Sequence, residues 1–399
     1  MPTDTAAADA LLAAFVSRAG RDDPYPVYRD LLALPVLPRL GDGSLMITRF
    51  ADCSAVLRSP NVGHSDDVGG ARVADWREHP ALLLFGTSLL GLDPPVHTRL
   101  RRIVSGAFTP RRVAALRPAV AGVVGELLNG LASGGDFVSA FAFPLPIAVI
   151  GELLGVPRAD QPPFQKLARD WTHVLDVTTP RVLARADAAA VEMCAYLGEL
   201  ADERRARPRD DLMSALVAVG ADGLARDEVV TMAALLFAAG FETATHLLGN
   251  GLVSLLGHPD QLHRWRSAPD VLAEPAVDEL LRFDSPVQIA RRKALRPLTI
   301  GDTEVAPGEK LTVCLGAANR DPGRFADPDR LDLTRTEGGS LAFGAGIHYC
   351  LGAPLARLEG QVAFPALFRR YPRVALAGPG VRRVSLTLRG YQRLSIVTG

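Results

Sequence analysis

Lysine is nearly missing from this chain. Lys166, Lys293 and Lys310 are the only three, and arginine supplies the rest of the 44 basic residues. An equal number of Asp and Glu residues, 44, brings the formal charge to zero. That balance removes any general electrostatic reason to expect nucleic acid or an anionic membrane as partner. Cysteine is also scarce. Cys53, Cys194, Cys314 and Cys350 lie far apart in no zinc-like spacing, so each is judged by its own surroundings. No uninterrupted apolar run approaches the ~20 residues that span a bilayer. The N-terminal MPTDTAAADALLAAFVSRAG has no basic stretch ahead of its short apolar run, and Asp4 and Asp9 flank or interrupt it. A signal peptide is therefore not expected. The expected location is the cytoplasm, where thiols stay reduced.

What is present is core. Hydrophobic residues make up 48% of 399, enough to bury a large interior, and helical spacing dominates. Val113, Leu116, Val120, Val123, Val124, Leu127, Leu128 and Leu131 repeat at three- and four-residue intervals, with Pro118 predicting a kink or break. Residues 227–258 read as one helix, with Asp227 as N-cap and HisPro at 258–259 as its stop. At 1.5 Å per residue such a helix is roughly 45 Å long, enough to cross a domain. VLAEPAVDELLRF and APLARLEGQVAFPALFRRY predict two more helices. Strand signals are short. LTIGDTEVAPGEKLTVCL, the runs around GDG at 41–43 and the C-terminal RVSLTLRGYQRLSIV predict small hairpins. No βαβ alternation, repeat or low-complexity linker is visible. The expected fold is mainly α: a single large helical domain, residues 1–399, with a small β-rich lobe.

The most informative segment is FGAGIHYCLG, residues 343–352. Gly344 and Gly346 permit turns that other residues resist. Cys350 then sits just ahead of an amphipathic helix, where N–H groups near Leu351 and Gly352 and the helix end favour a thiolate. A single thiolate suits the proximal side of haem iron. This segment resembles the haem-binding loop of the cytochromes P-450, FxxGxxxCxG, with His two before the Cys as in bacterial members. Phe343, Gly344, Gly346, His348, Cys350 and Gly352 all match. At ~1 in 20 per position, chance agreement at six places in this chain is roughly 1 in 10⁵.

Other segments fit the same resemblance, which extends over nearly the whole chain. Glu279 and Arg282 are three apart on a predicted helix and share a face. The resemblance implies that they form a buried structural pair, completed by Arg330 in FADPDRLDL. In AAGFETAT, residues 238–245, Ala239 and Thr243 are four apart and face one site. Gly240 weakens the helix, and the Thr243 hydroxyl can bond back to a carbonyl and open a local bulge. The resemblance makes Glu242 the acid and Thr243 the alcohol of the oxygen-activating motif, with Ala244 departing from the usual Thr or Ser. Haem carries two propionates that need cations or donors. His97 and Arg101, four apart, resemble the family's propionate pair. His348 resembles a third donor and Arg292 a fourth, with Arg291 as the alternative; Arg296 and Pro297 replace an acidic pair often found nearby. His64, His79, His173, His246, His258 and His263 form no spaced ligand set and read as ordinary.

The implied cofactor is haem b (iron protoporphyrin IX), with Cys350 as the metal ligand and Phe343, Gly344 and Gly352 shaping its loop. The implied activity is a monooxygenase that uses O2 and two electrons to hydroxylate or epoxidise a small organic substrate, tailoring a bacterial natural product. Oxidative coupling or ring closure without oxygen insertion is the alternative. A peroxide-driven enzyme or a non-enzymatic haem binder would not need the Glu242–Thr243 pair. Electrons would come from a ferredoxin and ferredoxin reductase, docking on Arg102, Arg111, Arg112 and Arg357, and the chain is expected to be a monomer. The resemblance places substrate contacts in residues 61–91, 160–179 and 287–290, at Leu235, Ala239, Val287, Ile289 and Tyr391. None of these offers a charged anchor.

Overall fold

Residues 226–256 are apolar on nearly every face, so the segment must be surrounded by protein. In the computed structural model, which describes residues 2–64, 75–175, 179–218 and 223–399, it is one 31-residue helix, Arg226–Leu256. The helix starts earlier than the expected Asp227 cap. Ala225 is the N-cap, its N–H is accepted by the Glu228 carboxylate at 2.9 Å, and Asp227 lies inside the first turn. Both acids there oppose the positive end of the helix dipole. Length and hydropathy alone would let this helix cross a membrane, but 72% of its most apolar window is buried inside the protein. Helices Pro144–Leu154, Pro180–Ala206, Pro269–Phe283 and Ala353–Arg370 pack around it. Gly240 allows one of these approaches, because a Cβ there would come within 3.0 Å of Ile150. The periodic stretch 113–131 is two helices, Pro110–Ala115 and Arg117–Asn129. Pro118 sits in the first turn of the second, where a missing N–H costs nothing.

The strands are short. They are β1 (Leu45–Ile47), β2 (Val62–Gly63), β3 (Gly135–Asp136), β4 (Ile289–Ala294), β5 (Leu298–Ile300), β6 (Thr303–Val305), β7 (Lys310–Cys314), β8 (Ala375–Leu376), β9 (Val381–Arg382), β10 (Tyr391–Arg393) and β11 (Ser395–Val397). The largest sheet has the order β1-β7-β4-β2, with β1 and β7 parallel and the other pairs antiparallel. β5 and β6 form the expected hairpin, but β7 leaves it and pairs with β1 and β4. Two cores explain that departure. Leu311 and Val313 join Leu45 and Ile47 on one side of the sheet, while Cys314, Met46 and Ile289 join Phe15, Tyr28 and Leu31 on the other. β3-β11-β8 and β9-β10 form two smaller sheets near the C-terminus. The architecture is mainly helical with a small β-rich part.

Candidate active site

The cysteine loop is built from two left-handed glycines. Gly344 has φ +69° and Gly346 φ +71°. A Cβ on Gly346 would overlap the Leu57 carbonyl, so only glycine fits where the loop crosses helix Phe50–Arg58. The Cys350 N–H donates to the Phe343 carbonyl at 3.0 Å and closes the loop. Gly352 and Ala353 N–H groups donate to the sulfur at the start of helix Ala353–Arg370. Burial nonetheless pushes the Cys350 thiol up, against Gly352, Arg101, Ala353 and Arg357. A cation bound at the sulfur would favour the thiolate that these N–H groups already face. Burial raises Cys53, Cys194 and Cys314 as well, the last to about 12.

A buried ion pair braces this loop from behind. Arg282 binds Glu279 bidentately, at 2.7 and 2.8 Å, and donates to the Asn319 and Pro328 carbonyls. Asn319 accepts the Leu341 N–H at 2.6 Å, two residues before Phe343. The third member is Arg335, not Arg330. Arg335 Nε lies 3.2 Å from Glu279 and its side chain is 7% exposed. Arg330 follows a turn at Asp327, where φ is 44°, and its side chain is exposed. Only its carbonyl joins the network, accepting from Arg282 at 3.2 Å.

Donors converge on the other side. The His97 and His348 rings are 4.1 Å apart, and His64 lies 4.3 Å from His348. Strand alternation sends the two arginines to opposite faces of β4. Arg291 points to Asp42 at 3.1 Å, whereas Arg292 lies half-buried beside His64 and His348, pushed down to about 10 by desolvation. Arg101 donates to the Tyr349 carbonyl at 2.6 Å. Burial first, then the neighbouring cations and rings, pushes His64 down to about 2 and His348 to about 3. Among the described residues, both ring nitrogens of His97 and the Nε2 atoms of His64 and His348 have no partner. Buried donors in such number call for acceptors. The two propionates of haem are acceptors of the right charge, so the residues present fit that group. His64 was not recognisable from the sequence, because 64, 97 and 348 share no spacing.

The central helix presents one accessible stripe. Ala239 is exposed and Leu236 and Thr243 half-buried, at i, i+3 and i+7, with half-buried Gly240 beside them, in a helix whose middle is otherwise buried. Room along that stripe is room for a ligand. Thr243 Oγ1 donates to the Ala239 carbonyl at 2.9 Å, as expected, but the helix stays regular and no bulge opens. Glu242 is buried and turned to Arg383, with its Oε2 unpartnered among the described residues. Leu235 is in the core beside this stripe, and Val287 is half-buried and bridges to Leu388.

Two expected substrate contacts are corrected. Ile289 points into the cluster of Phe15, Tyr28 and Leu31, since odd positions of β4 face away from Arg292. The Tyr391 ring packs on Gly249 and Gly380 under the Arg382 guanidinium, 3.9 Å away, far along the helix from Leu235. Of the expected substrate segments, residues 65–74 and 176–178 lie outside the described residues. The described parts are tied together: Trp171 donates to the Ala81 carbonyl at 2.9 Å and stacks on Phe85, and His79 meets Asp187 at 2.8 Å. Among the docking candidates, Arg102 and Arg111 are exposed and Arg112 pairs with Asp210. Arg357 is instead committed to the loop, held by Asp278 at 2.7 Å and lying over the Phe343 ring.

Neutral buried histidines give a pH prediction for the haem-free chain. Burial pushes His246 down to about 3, as it pushes His64 to about 2. Both lie below the ~6.5 of an unfolded histidine, so the unfolded chain takes up protons that the folded one refuses. Their contribution is complete above about pH 6.5 and is lost as pH falls toward 3. Thermal midpoints measured across that window should fall with pH, and less steeply in H246F.

The family model "Cytochrome P450" matches residues 271–376. Cytochrome P450 107B1 of Saccharopolyspora erythraea is 43% identical over 368 residues, covering 89% of each chain. The 6-deoxyerythronolide B hydroxylase of the same organism is 40% identical over 393 residues, covering 94% of this chain and 96% of its own. The solved structure of the bacillaene polyketide synthase cytochrome P450 PksS, from Bacillus subtilis, superimposes with a TM-score of 0.87 at 33% identity, over 96% of this chain and 99% of its own. Convergent unpaired donors, one cysteine at a helix start and relatives of this closeness have one explanation: the chain belongs to the cytochrome P450 family, monooxygenases that carry haem b and act on small molecules with O2 and external electrons.

Proposed function

We propose that this enzyme hydroxylates or epoxidises a polyketide-type natural product, with Cys350 as the iron ligand. The observation that carries the reading is the accessible stripe around Ala239 and Thr243 in a helix whose middle is otherwise buried. A large apolar ligand can lie there beside a hydroxyl that moves protons. The substrate class is supported by two relatives, one a 6-deoxyerythronolide B hydroxylase and the other a P450 of a polyketide synthase. Haem supplies the oxygen-activating chemistry when bound. His97, Arg101, Arg292 and His348, joined by His64, would hold its propionates. Phe343, Gly344 and Gly352 shape the loop around the sulfur. Leu235, Ala239 and Val287 orient the substrate. Glu242 and Thr243 deliver protons, and a ferredoxin docked near Arg102, Arg111 and Arg112 supplies electrons.

The test is turnover of 6-deoxyerythronolide B with a ferredoxin and ferredoxin reductase, read by product mass. A gain of one oxygen atom supports insertion. Loss of two hydrogens with no oxygen gained means coupling or ring closure instead, and no product from any macrolactone removes the substrate class. Thr243→Ala tests the proton role. It should keep the haem spectrum and oxygen consumption but divert most of the oxygen to peroxide, on the order of a hundredfold loss of product per electron. Unchanged product and peroxide yields would remove Thr243 from the reaction.

A further inference from the structure

Glu242 is not alone on its face of the central helix. His246, one turn later, shares that face and is 5% exposed. Among the described residues neither His246 Nδ1 nor Nε2 has a partner, and Glu242 Oε2 has none either. The ring is pressed against Gly390, where a Cβ would overlap it. The Gly390 carbonyl accepts the Arg383 N–H at 3.0 Å, and the Arg383 guanidinium pairs with Glu242. The adjacent Arg382 donates to Asn250 at 3.0 Å and meets Asp284 at 3.4 Å. Arg383 and Arg382 on the β9 side and Asp284 are thus the charged groups that act on the imidazole, with Glu242 one turn earlier on the same helix. Burial first, then Arg383 and Arg382, pushes His246 down to about 3 against Asp284, so the ring is neutral.

Three unpartnered polar atoms within one helical turn are more than a packed core leaves without a reason. Leucine or phenylalanine would fill position 246 with no such cost. Side chains at i and i+4 stand about 5–6 Å apart at Cβ, so a carboxylate and an imidazole there can be joined by one hydrogen bond or a single water. A neutral imidazole has one donor and one acceptor nitrogen, which suits passing a proton on.

We propose that His246 extends the proton relay: bridged by one water to the unpartnered Oε2 of Glu242, it recharges that acid from the β9–β10 side, while Arg383 positions the other oxygen. The proposal rests on the reading of Glu242 and Thr243 as the proton-delivering pair. Glu242 gives its proton toward Thr243 and becomes a carboxylate. As that carboxylate draws the His246 N–H proton across the bridging water, the ring takes a proton at its other nitrogen from water on the β9–β10 side in the same movement, so no imidazolate forms. Return to the first tautomer between deliveries resets the relay. One solvent proton enters for each proton delivered, and no charge accumulates.

H246F keeps a ring of similar shape and removes both nitrogens. With 6-deoxyerythronolide B as probe, it should raise peroxide released per O2 consumed on the order of tenfold and enlarge the solvent isotope effect. The carboxyl infrared band of Glu242, isolated by subtracting E242Q, should shift in H246F, with or without turnover. Melting should fall modestly, because the Glu242 side loses a polar partner inside the protein. H246N, which restores a donor and an acceptor, should recover part of the coupling, and E242Q/H246F should be no worse than E242Q. If E242Q uncouples the enzyme but H246F changes neither peroxide nor the infrared band, His246 is only core and the inference is wrong. If E242Q itself leaves peroxide unchanged, the acid–alcohol reading fails first and the relay with it. Should H246F melt early, the same two readouts on H246N decide.

Discussion

Cys350→Ala is expected to erase the red-shifted Soret band of the dithionite-reduced, carbon monoxide-treated protein and to reduce product formation to background. Alanine at Cys53, Cys194 or Cys314 should leave both in place. The contrast does not come from thiol acidity, since burial raises all four thiols. It comes from what surrounds the sulfur. Cys350 Sγ receives N–H groups from Gly352 and Ala353 at a helix start, in a loop whose glycines hold it in place. Cys53 instead donates to the Ile47 carbonyl at 3.3 Å and sits in a closed hydrophobic cluster. Electron donation from a thiolate to iron is what shifts the band, so a histidine-type band in the variant would show another residue taking over the iron. Retention of the red-shifted band would mean that a different cysteine holds it.

Glu279→Gln should cost about 3–5 kcal/mol, because it leaves the Arg282 guanidinium buried and unpaired. That is a large share of the ~5–15 kcal/mol that holds a typical domain together, so the variant should fold poorly or fail to retain haem. The companion pair is more discriminating. Arg335→Ala removes a side chain 7% exposed and 3.2 Å from Glu279, and should cost about 2 kcal/mol. Arg330→Ala removes an exposed side chain and keeps the carbonyl that Arg282 uses, so its effect should stay within about 0.5 kcal/mol. Denaturant midpoints at constant slope make the comparison. Equal losses for the two would return Arg330 to the network.

The helical architecture was readable because its cause is local. Apolar spacing over 226–256 and the stop at His258–Pro259 are properties of neighbouring residues, and the helix ends at Leu256. The Pro118 break was readable for the same reason. The small hairpins were partly readable, as β5 and β6 show, but how the strands assemble into sheets was not, since a three-residue strand has no signal for its partner. β7 joins β1 and β4 only because Leu311 and Val313 complete a core with residues more than 200 positions away.

The site divides along the same line. Local spacing marked the cysteine, the two glycines that its loop needs, the back-bonding Thr243 and the shared face of Glu279 and Arg282, whose burial as a pair the family resemblance implied. Each rests on spacings of a few residues and on backbone conformations only glycine takes easily. Only tertiary structure decided the rest. It chose Arg335 over Arg330, turned Arg291 to Asp42 and Arg292 toward His64, brought His64 to His348, turned Tyr391 and Ile289 into core, and set Arg383 beside Glu242 and Gly390 against His246. The reason is physical. Whether a polar side chain is paired, buried or free depends on the few ångströms around its tip, and those ångströms are supplied by segments far away in the chain.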